Sequence, residues 1–319
     1  MISITGLGRC FGDFWAVRGL SMEVAQGQIC GFIGPNGAGK STTMRILATL
    51  DLPSEGSLRV AGLDAVDAVE EVRRLLGYMP DSYGAYPNMN VLEYLDFFAR
   101  SYGMAGAART RRVRDIVDFC QMGGMADKPA TSLSKGMKQR LCLGRCLIND
   151  PKVLILDEPT AGLDPRARIE FRDLLRLLAG QGRTILISSH ILSELEEVSD
   201  QVVIIERGQL VAAGSVASVK SKARAAAAEA APDKRLRLEL RFAGADDEAV
   251  RRTLAEQPGI EDVRQEGHDS WTMSAASDPA AHAALLKALI QAGHPVCHVA
   301  ARAGNLEDAF MHLTEGKVQ

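Results

Sequence analysis

Residues 34–42 read Gly-Pro-Asn-Gly-Ala-Gly-Lys-Ser-Thr, a complete G-x-x-x-x-G-K-[ST] sequence. Glycines at this spacing let the backbone curl so that successive N–H groups point inward at a polyphosphate. Lys40 supplies a positive charge for the β and γ phosphates, and the hydroxyl of Ser41 is a ligand suited to Mg²⁺. The stretch therefore predicts a loop that binds a nucleoside triphosphate together with Mg²⁺.

The residues on either side of the loop agree with this prediction. The apolar run at residues 28–33 predicts a buried strand that enters the loop, and residues 42–47 predict a helix whose N-terminus faces the anion. A glycine-rich turn before a helix is the alternative. The candidate ATP-binding residues in the loop are Gly34, Asn36, Gly37, Gly39, Lys40, Ser41 and Thr42.

The 319 residues, of which 46% are hydrophobic and 24% charged, have the composition of a globular protein of about two domains. The formal net charge of −3 gives no overall basic field for nucleic acid or an acidic membrane surface. No apolar run approaches the ~20 residues that span a bilayer, and the start of the chain lacks a signal-peptide pattern. We therefore expect a cytoplasmic protein that forms no membrane pore by itself.

Sequence patterns divide the chain into three parts. Residues 1–217 predict an α/β nucleotide-binding domain with an antiparallel β lobe and an α-helical insert at about residues 88–148. Residues 218–234 are rich in Ser, Lys, Ala and Glu without an apolar face, which predicts a linker. In residues 235–319 the expected elements follow the order β-α-β-β-α-β, which is that of a small ferredoxin-like α+β domain.

Six cysteines are scattered along the chain without a C-x-x-C pair. Cys142 and Cys146 stand at positions i and i+4 of a predicted helix, a spacing that metal ligands also use. Because no His or acidic pair accompanies them, we interpret both thiols as packing residues, reduced as in a cytosolic protein.

Two acidic residues, Asp157 and Glu158, directly follow a predicted buried strand at residues 153–156. In an open α/β sheet, ligands bind at the carboxyl ends of the strands. Asp157 is therefore a candidate Mg²⁺ ligand, and Glu158 is a candidate for polarising the water that attacks a phosphate. A solvated acidic turn is the alternative.

Residues 133–140 read Leu-Ser-Lys-Gly-Met-Lys-Gln-Arg and precede a long predicted helix. A serine, a flexible glycine and a helix N-terminus together can form an anion site, with Ser134 and Gly136 as its candidates. The same pattern also occurs as an ordinary helix cap, so its interpretation depends on the surrounding motifs.

Taken in order, the motifs of residues 1–217 resemble those of the ABC ATPase nucleotide-binding subunit. They are the phosphate loop, Leu133-Ser134-Lys135-Gly136, Leu156-Asp157-Glu158-Pro159-Thr160, Ala161-Gly162-Leu163-Asp164 and Ser188-Ser189-His190. The resemblance implies a P-loop NTPase core that hydrolyses Mg·ATP. It also implies that two copies pair head to tail, with each ATP between one phosphate loop and the partner's Ser-x-Gly sequence.

The resemblance also assigns roles to single residues. Ser134 and Gly136 would contact the γ-phosphate of ATP bound to the other copy, and Asp164 would lie in the loop that couples the two sites. His190 would be the switch histidine that reaches the γ-phosphate, although a histidine after a strand is often structural. Phe11 matches the aromatic residue that stacks on adenine, with a core phenylalanine as the alternative.

Two places in the sequence depart from the family's motifs. The signature usually reads Leu-Ser-Gly-Gly-Gln, whereas Lys135 and Met137 replace the first Gly and the Gln here. Lys135 adds a positive charge that faces the partner's phosphates or stands in solvent. Asp81 stands where the family has a Gln that reaches the metal, and its carboxylate can ligate Mg²⁺ directly or through water.

Residues 305–314 resemble the tail of exporter-type subunits that work with separate membrane proteins, and they also fit an amphipathic helix. We therefore expect an ATP-hydrolysing subunit on the cytoplasmic face of the membrane, which powers export through permease subunits.

One alternative is a soluble ABC ATPase that acts on ribosomes or DNA, but the basic cluster Arg109–Arg114 lacks interleaved aromatics, so no nucleic-acid partner is expected. Another is a weakly hydrolysing nucleotide-sensing module, which the two departures suggest and the retained Glu158 and His190 oppose.

Overall fold

The computed structural model of the chain describes residues 1–82, 84, 86, 88–230, 235–244, 246–276, 278–301 and 314. Residue contacts divide the chain into two units, of which the first holds Met1–Val219 and the second begins at Lys220. Among the residues described, no helix is both long and apolar enough to cross a bilayer.

The first unit is built from two sheets and the helices that accompany them. Its strands are β1 (Ile2–Phe11), β2 (Phe14–Val24), β3 (Ile29–Ile33), β4 (Glu55–Val60), β5 (Leu63–Asp64), β6 (Leu76–Met79), β7 (Val153–Leu156), β8 (Thr184–Ser188), β9 (Gln201–Glu206) and β10 (Gln209–Ser215). Its helices are α1 (Lys40–Leu47), α2 (Val69–Leu75), α3 (Val91–Ser101), α4 (Gly106–Phe119), α5 (Lys135–Leu147), α6 (Pro165–Gly180) and α7 (Leu192–Val198), and α8 (Val216–Ala230) runs on into the second unit.

The larger sheet places the predicted motifs side by side. Its strand order is β10-β9-β3-β8-β7-β6, in which β10 is antiparallel to β9 and the other neighbours are parallel. Strands β3, β7 and β8 are buried at every position, which explains their continuous apolar sequences. Phe32 of β3 pairs with Ser188 of β8, and Leu156 of β7 pairs with Ile187. The segments after these strands therefore leave the sheet at one edge.

The smaller sheet, in the order β2-β1-β4-β5, is antiparallel and forms the expected β lobe. Its inward side chains share one hydrophobic cluster with the phosphate-loop strand, for example Ile4 and Leu20 with Phe32. Strands β1 and β2 meet in a hairpin at the pair Phe11 and Phe14. The lobe and the larger sheet therefore share a core.

The helical insert expected at about residues 88–148 is present as α3, α4 and α5. A capping box begins α3, because the Asn90 side chain accepts from the Glu93 N–H at 2.8 Å and the Glu93 carboxylate accepts from the Asn90 N–H at 2.9 Å. On α5, Cys142 and Cys146 are buried, and the Cys146 Sγ donates to the Tyr78 carbonyl at 3.1 Å. These thiols are packing residues, as the sequence predicts.

The second unit contains β11 (Arg235–Phe242), α9 (Asp247–Ala255), β12 (Ile260–Gly267), β13 (Ser270–Ala276), α10 (Pro279–Gln291) and β14 (Val296–Ala301). Its antiparallel sheet has the order β12-β13-β11-β14, and the elements follow the β-α-β-β-α-β order expected from the sequence. Leu240, Trp271 and Leu289 are buried in its core. The exporter-type tail at residues 305–314 lies outside the described residues, except for Thr314.

Helix α8 occupies the first part of the linker predicted over residues 218–234. Helix α8 continues to Ala230, and within it Val219 and Ala223 are only 0% and 2% exposed. Positions i and i+4 lie on one helix face, so this segment has a narrow apolar face, contrary to the prediction. Alanine is too weakly apolar to reveal such a face in a Ser, Lys and Ala-rich sequence. The domain boundaries drawn from the sequence remain predictions.

Candidate active site

The phosphate loop connects β3 to α1 and surrounds the side chain of Lys40. This lysine is only 7% exposed, and its Nζ donates to the carbonyls of Gly34 and Pro35 at 2.7 and 3.1 Å. Asn36 and Ser41 are exposed at the surface of the loop. The ammonium thus lies inside the curl of backbone that the sequence predicts.

Gly39 fixes the end of this loop against the β lobe. Its φ is 98°, and a Cβ at this position would lie 2.4 Å from the Ala16 carbonyl oxygen. Only glycine fits both the left-handed conformation and the close approach. The turn before β10 also holds this end of the loop, because the Gly208 N–H donates to the Ala38 carbonyl at 3.1 Å.

Ser188, at the end of β8, holds both acidic residues that follow β7. Its hydroxyl donates to Asp157 Oδ1 at 2.6 Å and accepts from the Glu158 N–H at 2.9 Å. The φ of Glu158 is 48°, a left-handed conformation that side-chain-bearing residues seldom adopt. Such strain persists where neighbouring hydrogen bonds impose the conformation. The bond to Ser188 is one of these, and the bond that the Ala161 N–H donates to the Glu158 carbonyl, at 3.1 Å, is another. The sequence names Ser188 within a motif but does not predict this bridging role.

Glu158 and His190 are in direct contact. The distance between Glu158 Oε2 and His190 Nδ1 is 2.7 Å, and the His190 N–H donates to the same oxygen at 3.3 Å. The Glu158 side chain is 18% exposed, whereas that of His190 is 58% exposed. The structure therefore brings together the two residues predicted to be catalytic.

The charges of the site are mutually dependent. Burial lowers the pKa of Lys40, and the carboxylates of Glu158 and Asp157 partly oppose this shift. Burial raises the pKa of Tyr78 in β6 to about 12, with contributions from the negative charges of Asp157 and Asp81. The charge of Lys40 is thus coupled to the charges of both acids.

Asp81 is exposed and follows the end of β6, next to the strand that carries Asp157. The Asp157 N–H donates to the Met79 carbonyl at 2.8 Å, which joins the two strand ends. Ser41, Asp157 and Asp81 offer only oxygen donors, the type that Mg²⁺ prefers. The chemistry of these residues therefore fits a magnesium site.

The signature, residues 133–137, is in contact with the loop before α6 of the same chain. Ser134 and Asp164 are exposed N-cap residues, each accepting from a backbone N–H of its helix, at 3.4 and 2.9 Å. Gly162 has a φ of 69°, and a Cβ there would lie 2.3 Å from the Lys135 Nζ, so Lys135 stands against this loop. Within the described ranges, no hydrogen bond connects Ser134 or Gly136 to the phosphate loop of its own chain.

Phe11 is 47% exposed at the β1–β2 hairpin, which rules out the alternative of a core phenylalanine. The Arg9 guanidinium carbon lies 4.4 Å from the centroid of its ring. An exposed aromatic ring suits a stacking role, and its contact with adenine remains a prediction.

The sequence analysis missed one polar contact beside the site. The Thr160 hydroxyl donates to Glu194 Oε2 at 2.7 Å, although the two residues are 34 positions apart. Arg168 of α6 forms an ion pair with the same carboxylate at 3.1 Å. No motif or periodicity signals a contact of this kind.

Comparisons with known proteins agree with this geometry. A family model described as ABC transporter matches residues 17–161. Nod factor export ATP-binding protein I of Ralstonia nicotianae is 34% identical over 98% of this chain and 94% of its own length. The protein of the same name from Burkholderia orbicola is 34% identical over 100% of this chain and 98% of its own.

Solved structures show the same fold. The ATP-binding subunit of an ABC transporter matches with a TM-score of 0.64 at 28% identity, over 70% of this chain and 92% of that one. The cbiO1 protein of Clostridium perfringens, part of the ABC transporter complex cbiONQ, matches with a TM-score of 0.63 at 26% identity, over 71% and 92% of the two chains. The chain therefore belongs to the ABC transporter family, as an ATP-binding subunit that hydrolyses ATP.

Proposed function

We propose that this subunit binds Mg·ATP, pairs head to tail with a second copy and drives export through separate membrane subunits from the cytoplasmic side. The observation that carries the proposal is the meeting of Lys40, Asp157, Glu158 and His190 at one edge of the larger sheet. Relatives named for Nod factor export support the direction of transport. Residues 235–319 form, in this proposal, an accessory α+β domain.

The residues of the site have separate roles in ATP binding and hydrolysis. Ser41, Asp157 and Asp81 would hold a Mg²⁺ ion, which when bound would offset the negative charge of the phosphates. Lys40 exchanges its loop carbonyls for phosphate oxygens, which makes up for the cost of burying its charge. The loop N–H groups and the start of α1 bind the remaining phosphate oxygens.

Glu158 and His190 act on the attacking water and the γ-phosphate. The Glu158 carboxylate orients a water molecule and takes its proton as the water oxygen bonds to the γ-phosphorus, while the bond from that phosphorus to the bridging oxygen breaks and ADP leaves. His190 donates a hydrogen bond to the γ-phosphate. Because Glu158 and His190 bind each other in the free chain, that contact opens before both residues engage the substrate.

The second copy completes the site. Ser134 and Gly136 have no hydrogen bond to their own phosphate loop among the described residues, while the exposed Ser134 heads the N-terminus of α5. Such a terminus favours an anion, here the γ-phosphate of the partner's ATP. Lys135 adds positive charge beside it and, through its contact with Gly162, reaches the loop of Asp164 that we propose couples the two sites.

A groove beside the helical insert is the proposed binding site for the membrane subunits. It has a volume of about 680 Å³ and is lined by Leu50, Tyr78, Phe98 and Tyr102, among others. Leu50 and Tyr102 are 54% and 45% exposed, and β6 forms part of the wall just before Asp81. Glu70, Arg73, Arg74 and Arg145 also line the groove, so an amphipathic cytoplasmic segment of the membrane subunits suits it, and movement would pass from there along β6 to the site.

Affinity purification after expression with the membrane protein encoded beside this chain tests the assignment. We expect an integral membrane protein to co-purify, and Tyr102→Asp to abolish that association while ATP binding is retained. Leu177→Asp, at a residue 58% exposed on α6, is the matched control and should have no effect. Recovery of ribosomes or DNA without a membrane protein would instead support the soluble ABC ATPase.

A further inference from the structure

Two adjacent segments of the site are held together by contacts of different kinds. One follows β7 and contains Glu158 and Thr160, and the other follows β8 and contains His190 and Glu194. Glu158 contacts His190 at 2.7 Å, and the Thr160 hydroxyl donates to Glu194 Oε2, also at 2.7 Å. In the mechanism above, hydrolysis breaks the first of these contacts but not the second.

The second contact belongs to a polar network of one buried and two half-buried side chains. Thr160 is 6% exposed, and the Glu194 and Arg168 side chains are 21% and 33% exposed. Glu194 Oε1 pairs with Arg168 Nη1 at 3.1 Å, and Arg168 Nε donates to the Leu163 carbonyl at 2.9 Å. The network therefore binds α7 and α6 to the segment between Glu158 and Asp164 at both of its ends.

A cleft runs beside this segment. Thr160, Arg168 and Glu194 line this cleft of about 210 Å³, which also borders Ser189 next to His190. The hydrogen bonds of Thr160 and Arg168 add direction to the packing of the buried Thr160 and Leu163, and together they define where the backbone after Glu158 lies.

We propose that Thr160 and Glu194, with Arg168, are positioning residues that hold the Glu158 carboxylate in line with the attacking water once His190 has turned to the γ-phosphate. The inference rests on the roles proposed above for Glu158 and His190. None of the three residues touches substrate in this account. Their effect reaches the reaction through the backbone of residues 158–163.

The chain offers a matched control. Arg172 and Glu197 form a second ion pair between the same two helices, α6 and α7, and line the same cleft, but within the described residues neither side chain has a hydrogen bond or ion pair with residues 158–163. Glu197→Ala therefore removes an interhelical ion pair without touching the network. A general loss of helix packing would affect both pairs alike.

The test compares Thr160→Val, Thr160→Ser, Glu194→Ala and Glu197→Ala in the full chain. Steady-state ATPase assays give kcat, equilibrium titration gives ATP affinity, and thermal melting checks the fold. We expect Thr160→Val and Glu194→Ala to lower kcat by about tenfold or more with ATP affinity unchanged, because a small misplacement of a catalytic group is costly. Thr160→Ser, which keeps the hydroxyl, and Glu197→Ala should remain near the wild-type rate.

Three outcomes overturn the inference. They are an equal loss of kcat in Glu197→Ala, a kcat near wild type in Thr160→Val and Glu194→Ala, and a fall in ATP affinity that accounts for the loss of rate. Glu158→Gln is measured in parallel. If that variant hydrolyses ATP as fast as wild type, the proposed function of Glu158 fails, whereas slow hydrolysis there with normal Thr160 and Glu194 variants refutes the positioning role alone.

Discussion

Replacing Glu158 with glutamine is expected to lower kcat for ATP hydrolysis by about 10²–10⁴-fold, the range that a positioned general base contributes. Glutamine has nearly the same shape and can still accept from the His190 N–H, but it cannot take a proton from water. ATP binding should persist, because Lys40 and the phosphate loop are unchanged. Phosphate release at saturating ATP and equilibrium ATP binding measure the two quantities separately.

Glu197→Gln is the control for this variant, since it makes the same chemical change on α7 outside the site. It should hydrolyse ATP at close to the wild-type rate. An equally slow wild type and Glu158→Gln, both binding ATP, would instead favour the nucleotide-sensing module. In that case the replacement of the family's Gln by Asp81 would explain the slow hydrolysis, even though Glu158 is retained.

Replacing Lys40 with alanine should weaken ATP binding by about tenfold to a hundredfold, the value of hydrogen bonds to a charged group. Burial lowers the pKa of Lys40, so the free chain holds this charge less favourably than water does. Lys40→Ala removes this buried charge together with its two hydrogen bonds to the loop carbonyls, effects of opposite sign, so it should melt close to wild type without nucleotide. It should also lose most of the rise in melting temperature that ATP gives the wild type.

Thermal melting with and without ATP checks this result, with Lys152→Ala at an exposed lysine as the control. The control should keep the full ATP-induced rise. A Lys40→Ala variant that melts far below wild type without ATP would contradict the account, because it would make this lysine a structural residue.

Sequence alone predicted the parts of the site that are local in the chain. The phosphate loop lies between a strand and a helix that immediately adjoin it, and Asp157 and Glu158 directly follow a strand recognisable by its apolar run. In the second unit, the alternation of apolar residues and the turns between them predict each described strand and helix in order. These signals depend on near neighbours.

The contacts that complete the site are long-range and left no signal. The order of the strands, the bridge from Ser188 to both acids, and the pairing of Thr160 with Glu194 depend on which segments become neighbours in the fold. The apolar face of α8 left little signal in the sequence, because the residues that the helix buries within residues 216–223 are Val219 and the small Ala223. The burial of the Phe11 side chain could not be predicted for a related reason. An aromatic residue in a strand gives the same sequence pattern whether its side chain is buried or exposed.

The central claim is that a second copy completes each ATP site. Sedimentation velocity of Glu158→Gln, which binds ATP but hydrolyses it slowly, tests it most directly. We predict a dimer with Mg·ATP, a monomer with Mg·ADP, and a monomer with either nucleotide when Ser134→Arg is added. Ser132→Arg, at an exposed residue of the short turn before Ser134, should leave the dimer intact. A monomer of Glu158→Gln at saturating ATP, or a dimer that Ser134→Arg does not disrupt, would contradict the claim.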